Sequence, residues 1–200
     1  MATTETRNAA ATAAAQTSAD PGPLGLAGFA ATTFVLMFVK VGIVDAAVVA
    51  AVLPLALFYG GLGQLLAGLL EYRRGNTFGT TAFCTYGAFW LGFVFYVWFF
   101  AKDAGTHAGT AAGMFELMFG IVTAYLTIAA LRVSGAVLTV FVLLTLTFVV
   151  LAIGDLATSN GITKVGGVIG ILTALAAFYT SAAIVINDTW KRVVLPTFPF

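Results

Sequence analysis

Long apolar runs separated by short polar breaks occupy most of the chain. A helix that crosses the hydrocarbon core of a bilayer needs roughly 20 apolar residues, and six runs are close to that length. They lie at Leu24–Val41, Ala46–Leu70, Phe78–Ala101, Met114–Leu131, Ala136–Gly154 and Val165–Ile186. This pattern predicts an all-α integral membrane protein with six transmembrane helices joined by short loops.

Composition agrees with a chain that lies in lipid. Hydrophobic residues make up 60% of the sequence and charged residues only 8%, whereas soluble proteins carry about a quarter charged residues. Residues 1–19 are rich in Ala, Thr and Ser and predict a disordered cytoplasmic tail. We therefore expect a transmembrane domain over residues 20–190 and a short cytoplasmic C-terminal tail over residues 191–200.

The positions of Lys and Arg predict how the helices are oriented. Three of the nine cations, Lys40, Lys102 and Lys164, fall on one side of the predicted bundle. The other six fall on the side of the termini: Arg7, Arg73, Arg74, Arg132, Lys191 and Arg192. Because cytoplasmic loops are enriched in Lys and Arg, we expect both termini to lie in the cytoplasm.

Few residues suit catalysis or cofactor binding. His107 is the single histidine and Cys84 the single cysteine, and the sequence has no metal-ligand spacing, phosphate-binding glycine loop or nucleophile elbow. The sequence therefore predicts a protein that is not an enzyme and that uses neither a cofactor nor a metal. Two carboxylates that converge from separate helices would be the alternative, a membrane enzyme.

The second apolar run carries a stripe of small and polar residues. Gly60, Gln64, Ala67, Gly68 and Glu71 recur at helical spacing. Small residues let membrane helices approach closely, and an amide in hydrocarbon requires partners. The stripe therefore faces the interior of the bundle, either as a packing surface or as the wall of a pathway. Glu71 has a further reading as half of an interfacial ion pair.

Comparable stripes occur in the first, third and sixth runs. A threonine hydroxyl often bonds the backbone of its own helix, so each threonine alone has a structural explanation. Together these residues predict a narrow, mildly polar pathway with few fixed charges. Its candidates on these runs are Gly25, Thr32, Thr81, Thr85 and Ala177.

The segment from Asp20 to Leu26 begins the first run. Asp20 suits an N-cap. Pro21 has no N–H, but the N–H groups at the start of a helix have no partner within the helix, so proline is tolerated there. The segment is therefore typical of a helix start. A helix N-terminus also offers free donors and partial positive charge to a carboxylate. The segment is thus either a simple start or an anion site.

Three segments resemble the acetate uptake transporter family, also called the succinate-acetate permease family. Residues 20–26 resemble its Asn-Pro-Ala-Pro-Leu-Gly-Leu signature, with Asp20 in place of Asn and Gly22 in place of Ala. Residues 58–90 resemble its central block, and Leu151-Ala152-Ile153-Gly154 is similar to its fifth helix. The resemblance implies transport of acetate, and in some members succinate, by proton symport or by an anion-channel-like pathway. It also implies a homohexamer with one pathway in each protomer.

The resemblance further implies which residues form the pathway. Its apolar constriction falls on Phe29, Tyr86 and Leu144, and a position that influences substrate size falls on Ala177. Together with these four residues, the candidates for the pathway are Asp20, Pro21, Gly25, Leu26, Thr32, Gln64, Thr81 and Thr85. Glu71 and Asp155 are the candidates for proton coupling, because both titrate and lie near helix ends. An aspartate at position 20 would repel an anion unless it is protonated, paired or turned away.

Two other functions stay open at this point. One is export of ammonium or ammonia, for which the sequence has no evident acidic vestibule. The other is a non-transporting membrane sensor or scaffold. The short N-terminal tail is typical of the prokaryotic branch of the resembled family, so we expect the inner membrane of a prokaryote.

Overall fold

A computed structural model of the chain describes residues 19–200. The disordered tail predicted for residues 1–19 falls almost wholly outside this range. Within it, six helices are long and apolar enough to cross a membrane, which confirms the predicted fold class. They are α1 (Gly22–Val41), α2 (Ala46–Arg73), α3 (Thr77–Phe100), α4 (Gly105–Ala130), α5 (Gly135–Leu156) and α6 (Asn160–Trp190).

Most helix ends lie within a few residues of the predicted ones, and local side chains explain them. The Asn76 side chain accepts a hydrogen bond from the Gly79 N–H at 3.1 Å and starts α3. Gly42, with φ of 83°, ends α1 in the left-handed conformation. Helix α4 differs most, because it begins at Gly105 rather than Met114. Apart from His107, its first turns consist of Ala, Gly and Thr, which are less hydrophobic than the Met, Phe and Leu residues that follow.

Helix α2 is irregular at its centre. Pro54 lies inside the helix and cannot donate the usual backbone hydrogen bond. From Ala56 to Gly63 the chain then follows a π-helix. Gly60 lies here, and a Cβ at this position would be 2.7 Å from Thr32 Cγ2 and 2.8 Å from Trp90 Cγ. The widened turn therefore brings α2 against both α1 and α3 at a position that tolerates only glycine.

A cluster of aromatic rings lies in the interior between the helices. Phe89 lies at its centre, with ring centroids 5.0 Å from Phe119, 5.2 Å from Phe115 and 5.5 Å from Phe148. These contacts join α3 to α4 and α5. Aromatic pairs at such distances favour edge-to-face and offset arrangements, so the bundle interior has a rigid wall.

The segment after α6 folds back onto the bundle. The Asn187 side chain accepts hydrogen bonds from the N–H groups of Val194 and Leu195. The Phe198 carbonyl then accepts from the Gly135 N–H at 2.7 Å, at the start of α5. Residues 191–200, predicted as a short tail, are thus held against the helix ends on one side of the bundle.

Candidate pathway through the helix bundle

Two cavities lie inside the bundle and share three side chains. One, the Gln64 cavity, has a volume of about 180 Å³ and extends towards Asp20 and Arg74. The other, the Lys40 cavity, has a volume of about 320 Å³ and extends towards the end of α1. The side chains that line both are Phe29, Tyr86 and Leu144.

These three shared residues, which we call the ring, are buried and close together. The exposed fractions of Phe29, Tyr86 and Leu144 are 5%, 4% and 3%. The ring centroids of Phe29 and Tyr86 are 5.8 Å apart. The three positions that the resemblance assigns to a constriction therefore stand where the two cavities meet.

The Tyr86 hydroxyl is fixed by a neighbouring helix. It lies 3.0 Å from the Thr123 hydroxyl, and that hydroxyl donates to the Phe119 carbonyl at 2.7 Å. Since Thr123 uses its proton on Phe119, the Tyr86 hydroxyl is the donor to Thr123. The aromatic face, rather than the hydroxyl proton, is what Tyr86 presents to the cavities.

Polar atoms without partners mark the walls of both cavities. Buried polar side-chain atoms are nearly always hydrogen-bonded in proteins, so each exception calls for an explanation. Among residues 19–200, five buried side-chain atoms lack a partner: Thr33 Oγ1, Gln64 Nε2, Gln64 Oε1, Trp90 Nε1 and Glu116 Oε2. Gln64 lines one cavity, and the other three residues line the second. Every such atom in the described chain thus belongs to a residue on a cavity wall.

Gln64 is the most buried polar side chain that lines the Gln64 cavity. It has no exposed surface, and neither atom of its amide has a partner among the described residues. Thr81 and Thr85 on α3 are nearby hydroxyls in the sequence pattern, but neither donates to the amide oxygen. The Thr81 hydroxyl donates instead to the Thr77 carbonyl of its own helix at 2.8 Å.

Charged groups surround the outer end of the Gln64 cavity. Arg74 Nη1 lies 2.8 Å from Asp20 Oδ1, and that oxygen also accepts from the Gly22 N–H at 2.8 Å. Asp20 is therefore paired, one of the three conditions under which an aspartate can stand near an anion pathway. Glu71 is 3% exposed and accepts from Asn76 Nδ2 at 2.9 Å.

The Lys40 cavity contains an ion cluster that the apolar pattern only partly predicts. Lys40 Nζ lies 2.7 Å from Asp155 Oδ2 and 3.3 Å from Glu116 Oε1. Lys40 and Asp155 occupy the last turns of α1 and α5, so their positions follow from the predicted helix ends. Glu116 was not singled out, although an ionisable residue inside an apolar run is itself a functional signal.

Several predicted pathway residues lie away from both cavities. Thr32 donates to the Gly28 carbonyl at 2.8 Å and packs against Gly60. Gly25 lies under the Phe83 ring, and Ala177 is fully buried. Leu26, in contrast, does line the Gln64 cavity. The predicted pathway residues that line neither cavity are Pro21, Gly25, Thr32, Thr81, Thr85 and Ala177.

Comparison with known proteins agrees with this arrangement. The chain is 39% identical over 180 residues to the succinate-acetate/proton symporter SatP of Escherichia coli strain K12, covering 89% of this chain and 94% of that protein. It is 38% identical over 171 residues to ammonia transport outward protein 2 of Saccharomyces cerevisiae, covering 82% of this chain but 61% of that longer protein. Both relatives are named for transport, in accord with a chain that is not an enzyme.

The fold has a solved counterpart as well. The structure of the bacterial acetate channel SatP matches with a TM-score of 0.84 and 37% identity, covering 90% of this chain and 99% of that one. The apolar spans and this match together make the chain a multi-pass membrane protein. Residues 3–200 also match the family model described as the GPR1/FUN34/yaaH family. The chain therefore belongs to the GPR1/FUN34/yaaH family.

Proposed function

We propose that this protein transports acetate and similar short carboxylates, including succinate, across a membrane. The observation that carries the proposal is the pair of cavities that share the ring of Phe29, Tyr86 and Leu144. Because the Gln64 cavity reaches the start of α1 and the Lys40 cavity its end, the two follow one route from side to side. The names of the bacterial relatives support acetate as the substrate.

The cavity walls suit an anion that must pass through without being bound tightly. A carboxyl group titrates near pH ~4.3 in water, so acetate is charged at neutral pH, and a charge inside a bilayer is costly. The Gln64 amide, the Trp90 indole N–H and the Thr33 hydroxyl have hydrogen atoms that no described residue accepts. Such donors stabilise a moving carboxylate without the deep energy well of a free cation.

The ring acts as the selective point of this route. Three apolar or aromatic surfaces offer no hydration to a solute that passes between them. A small acid with one methyl group can shed water and pass, whereas a bulky acid meets the fixed rings of Phe29 and Tyr86. Size selection therefore belongs to the ring, and anion attraction to the donors on each side of it.

Assembly and orientation complete the proposal. The family resemblance supports a homohexamer with a separate pathway in each protomer. The six-to-three distribution of Lys and Arg supports cytoplasmic termini, which puts the Gln64 cavity on the cytoplasmic side. The match to a solved bacterial channel supports the inner membrane of a prokaryote.

Energy coupling is part of the proposal too. An inside-negative potential opposes anion entry by about 2.3 kcal/mol per charge per 100 mV. Either a steep acetate gradient or a proton that enters with the anion overcomes this. Glu71 and Asp155 are candidate coupling groups on opposite sides of the ring.

Flux in liposomes tests the proposal. Purified protein should catalyse uptake of labelled acetate that saturates and that succinate, formate or propionate competes with. Liposomes without protein give the background, because acetic acid itself crosses lipid. Ammonia export predicts instead a saturable ammonia flux without acetate flux, and a sensor or scaffold predicts neither.

A matched pair of variants on α5 tests the route itself. Leu144 is 3% exposed at the ring, whereas Leu146 is 47% exposed on the outer surface of the same helix. We expect Leu144→Trp to abolish acetate flux by filling the ring and Leu146→Trp to retain it. Full flux in a folded Leu144→Trp protein would exclude the ring as the route.

A further inference from the structure

The ion cluster of Lys40, Glu116 and Asp155 holds two carboxylates and one ammonium. Asp155 Oδ2 is 2.7 Å from Lys40 Nζ, and Glu116 Oε1 is 3.3 Å from it. When all three groups are ionised, the cluster therefore carries a net charge of minus one. It stands beside a cavity through which an anion is proposed to pass, where a net negative charge opposes entry.

The two carboxylates of the cluster are not equivalent. Asp155 does not line the Lys40 cavity, and its second oxygen accepts from the Thr163 hydroxyl at 2.9 Å. Glu116 does line the cavity and is 8% exposed. Its Oε2 is buried and has no partner among residues 19–200. Glu116 is thus the carboxylate with an unused oxygen, on the wall of the proposed route.

Lys40 is the cation of the cluster, although other charged or titratable groups lie nearby. Tyr96 of α3 lines the same cavity, and Lys164 of α6 points to the end of α1, with Nζ 3.8 Å from the place of a Cβ on Gly42. Among the described residues that line the cavity, Lys40 is the one cation. An entering carboxylate is therefore attracted by Lys40 and repelled by the carboxylates that hold it.

We propose that Glu116 takes up the proton that accompanies each transported carboxylate, and that Lys40 is the cation to which the carboxylate is drawn. This inference deepens the proposed function and rests on it. A proton on Glu116 removes the net negative charge of the cluster and turns Oε2 into a hydrogen-bond donor. Anion entry and protonation therefore favour each other, and this coupling is reciprocal.

Transfer of the proton to the substrate then completes the step. The O–H bond on Glu116 breaks, an O–H bond forms on the substrate carboxylate, and Glu116 returns to its ionised form beside Lys40. The substrate becomes a neutral acid, which crosses the apolar ring without bringing a charge into it. One proton and one anion enter together, so the membrane potential neither drives nor opposes the step.

Proton uptake on substrate binding tests this inference directly. Sodium acetate, adjusted to the starting pH, is titrated into purified protein in weakly buffered detergent solution with a pH indicator dye. We expect saturable acetate binding accompanied by uptake of protons from the solution. Glu116→Gln keeps the shape of the protonated side chain but binds no proton, so it should bind acetate with the uptake lost. Asp188→Asn, which removes an exposed carboxylate that lines neither cavity, should keep the uptake.

A flux measurement gives an independent readout of the same step. Acetate uptake by the unmutated protein in liposomes should be insensitive to an inside-negative potential, since the transported pair is neutral. In Glu116→Gln the anion moves without its proton, so the same potential should slow its uptake. Asp188→Asn should behave like the unmutated protein.

The possible failures are distinguishable. Absence of saturable acetate binding and flux in the unmutated protein would reject the proposed function. Saturable acetate binding without proton uptake in that protein would reject the coupling and leave the function standing, whether or not any variant folds. Proton uptake that persists undiminished in Glu116→Gln would assign the proton to another group.

Discussion

The hydroxyl of Tyr86 on α3 lies 3.0 Å from the hydroxyl of Thr123 on α4. This bond holds an aromatic ring at the junction of two cavities while its polar end is turned to the adjacent helix. The phenol thus presents its aromatic ring, rather than its hydroxyl, at this junction. The proposed selection by size therefore depends on the ring of Tyr86 itself, and the bond to Thr123 occupies the hydroxyl between the helices.

Tyr86→Ala should admit larger carboxylates. Loss of the ring leaves a void that neighbouring side chains fill only partly, so discrimination between acetate and lactate should fall before acetate flux does. Competition by lactate against labelled acetate in liposomes measures this.

Tyr86→Phe is the matched control, since it keeps the ring and removes only the bond to Thr123. It should discriminate between acetate and lactate much as the unmutated protein does. Truncation of a buried aromatic residue costs about 3–5 kcal/mol in protein cores, so both variants are first checked for a single folded species. Unchanged discrimination in a folded Tyr86→Ala protein would remove Tyr86 from the ring.

The Asp20–Arg74 pair should matter for flux rather than for folding. Both side chains are partly exposed, at 42% and 30%, and such pairs contribute about 0–1 kcal/mol to stability. Arg74→Gln leaves Asp20 uncompensated at the mouth of the Gln64 cavity, where it repels acetate. Uptake at low salt should therefore fall several-fold and should recover partly at high salt, because salt screens exposed charges.

A double variant checks the cause of that loss. Asp20→Asn alone should keep acetate flux near normal, because an amide at this position repels no anion. Asp20→Asn combined with Arg74→Gln should restore the flux that Arg74→Gln loses, and the two changes should be non-additive. A double variant as slow as Arg74→Gln would show that Arg74 contacts the substrate itself.

Some of this site could be predicted from the sequence because lipid imposes strong constraints on it. Apolar runs must match the bilayer thickness, so all six helices were found, and the inward place of Gln64 followed from the cost of an amide in hydrocarbon. The ring came from the family resemblance rather than from the pattern. Its three residues lie on three different helices, which no periodicity connects.

The other features of the site depend on how each helix is rotated about its axis and on contacts between residues that are far apart in sequence. Thr81 and Thr85 have the spacing of residues on one side of a helix, as expected for the wall of a pathway. However, the Thr81 hydroxyl donates to the backbone of its own helix, and neither residue lines a cavity. The ion cluster joins Lys40 to groups 76 and 115 positions away in sequence. Only the packing of α1 and α5 against α6, and of α4 against α5, brings these groups together, so the pattern of a single run could not show it.

Cysteine labelling should place the N-terminus in the cytoplasm. The native Cys84 is first replaced by Ala, and Thr3→Cys then supplies the reporter. An impermeant maleimide should leave this cysteine unlabelled in intact cells and label it after the membrane is opened. Ala104→Cys, in the loop next to Lys102, is the control on the other side and should react in intact cells. Labelling of position 3 in intact cells would reverse the orientation.

Gln64 carries an amide that has no exposed surface and no partner among the described residues. A buried amide without partners costs free energy, and passage of a carboxylate would supply an acceptor for its two N–H groups. Gln64→Leu keeps similar volume and removes the unpaired polar atoms, so the folded protein should be as stable as before or more so. Acetate flux should nevertheless fall several-fold at equal protein in the liposomes. Gln64→Glu is the matched contrast, since a side chain of the same length then carries an ionisable group, and its flux should fall further as the pH rises and the carboxyl ionises. Normal transport by Gln64→Leu would mean that the amide serves the packing of α2 and that the anion passes along another wall of the cavity.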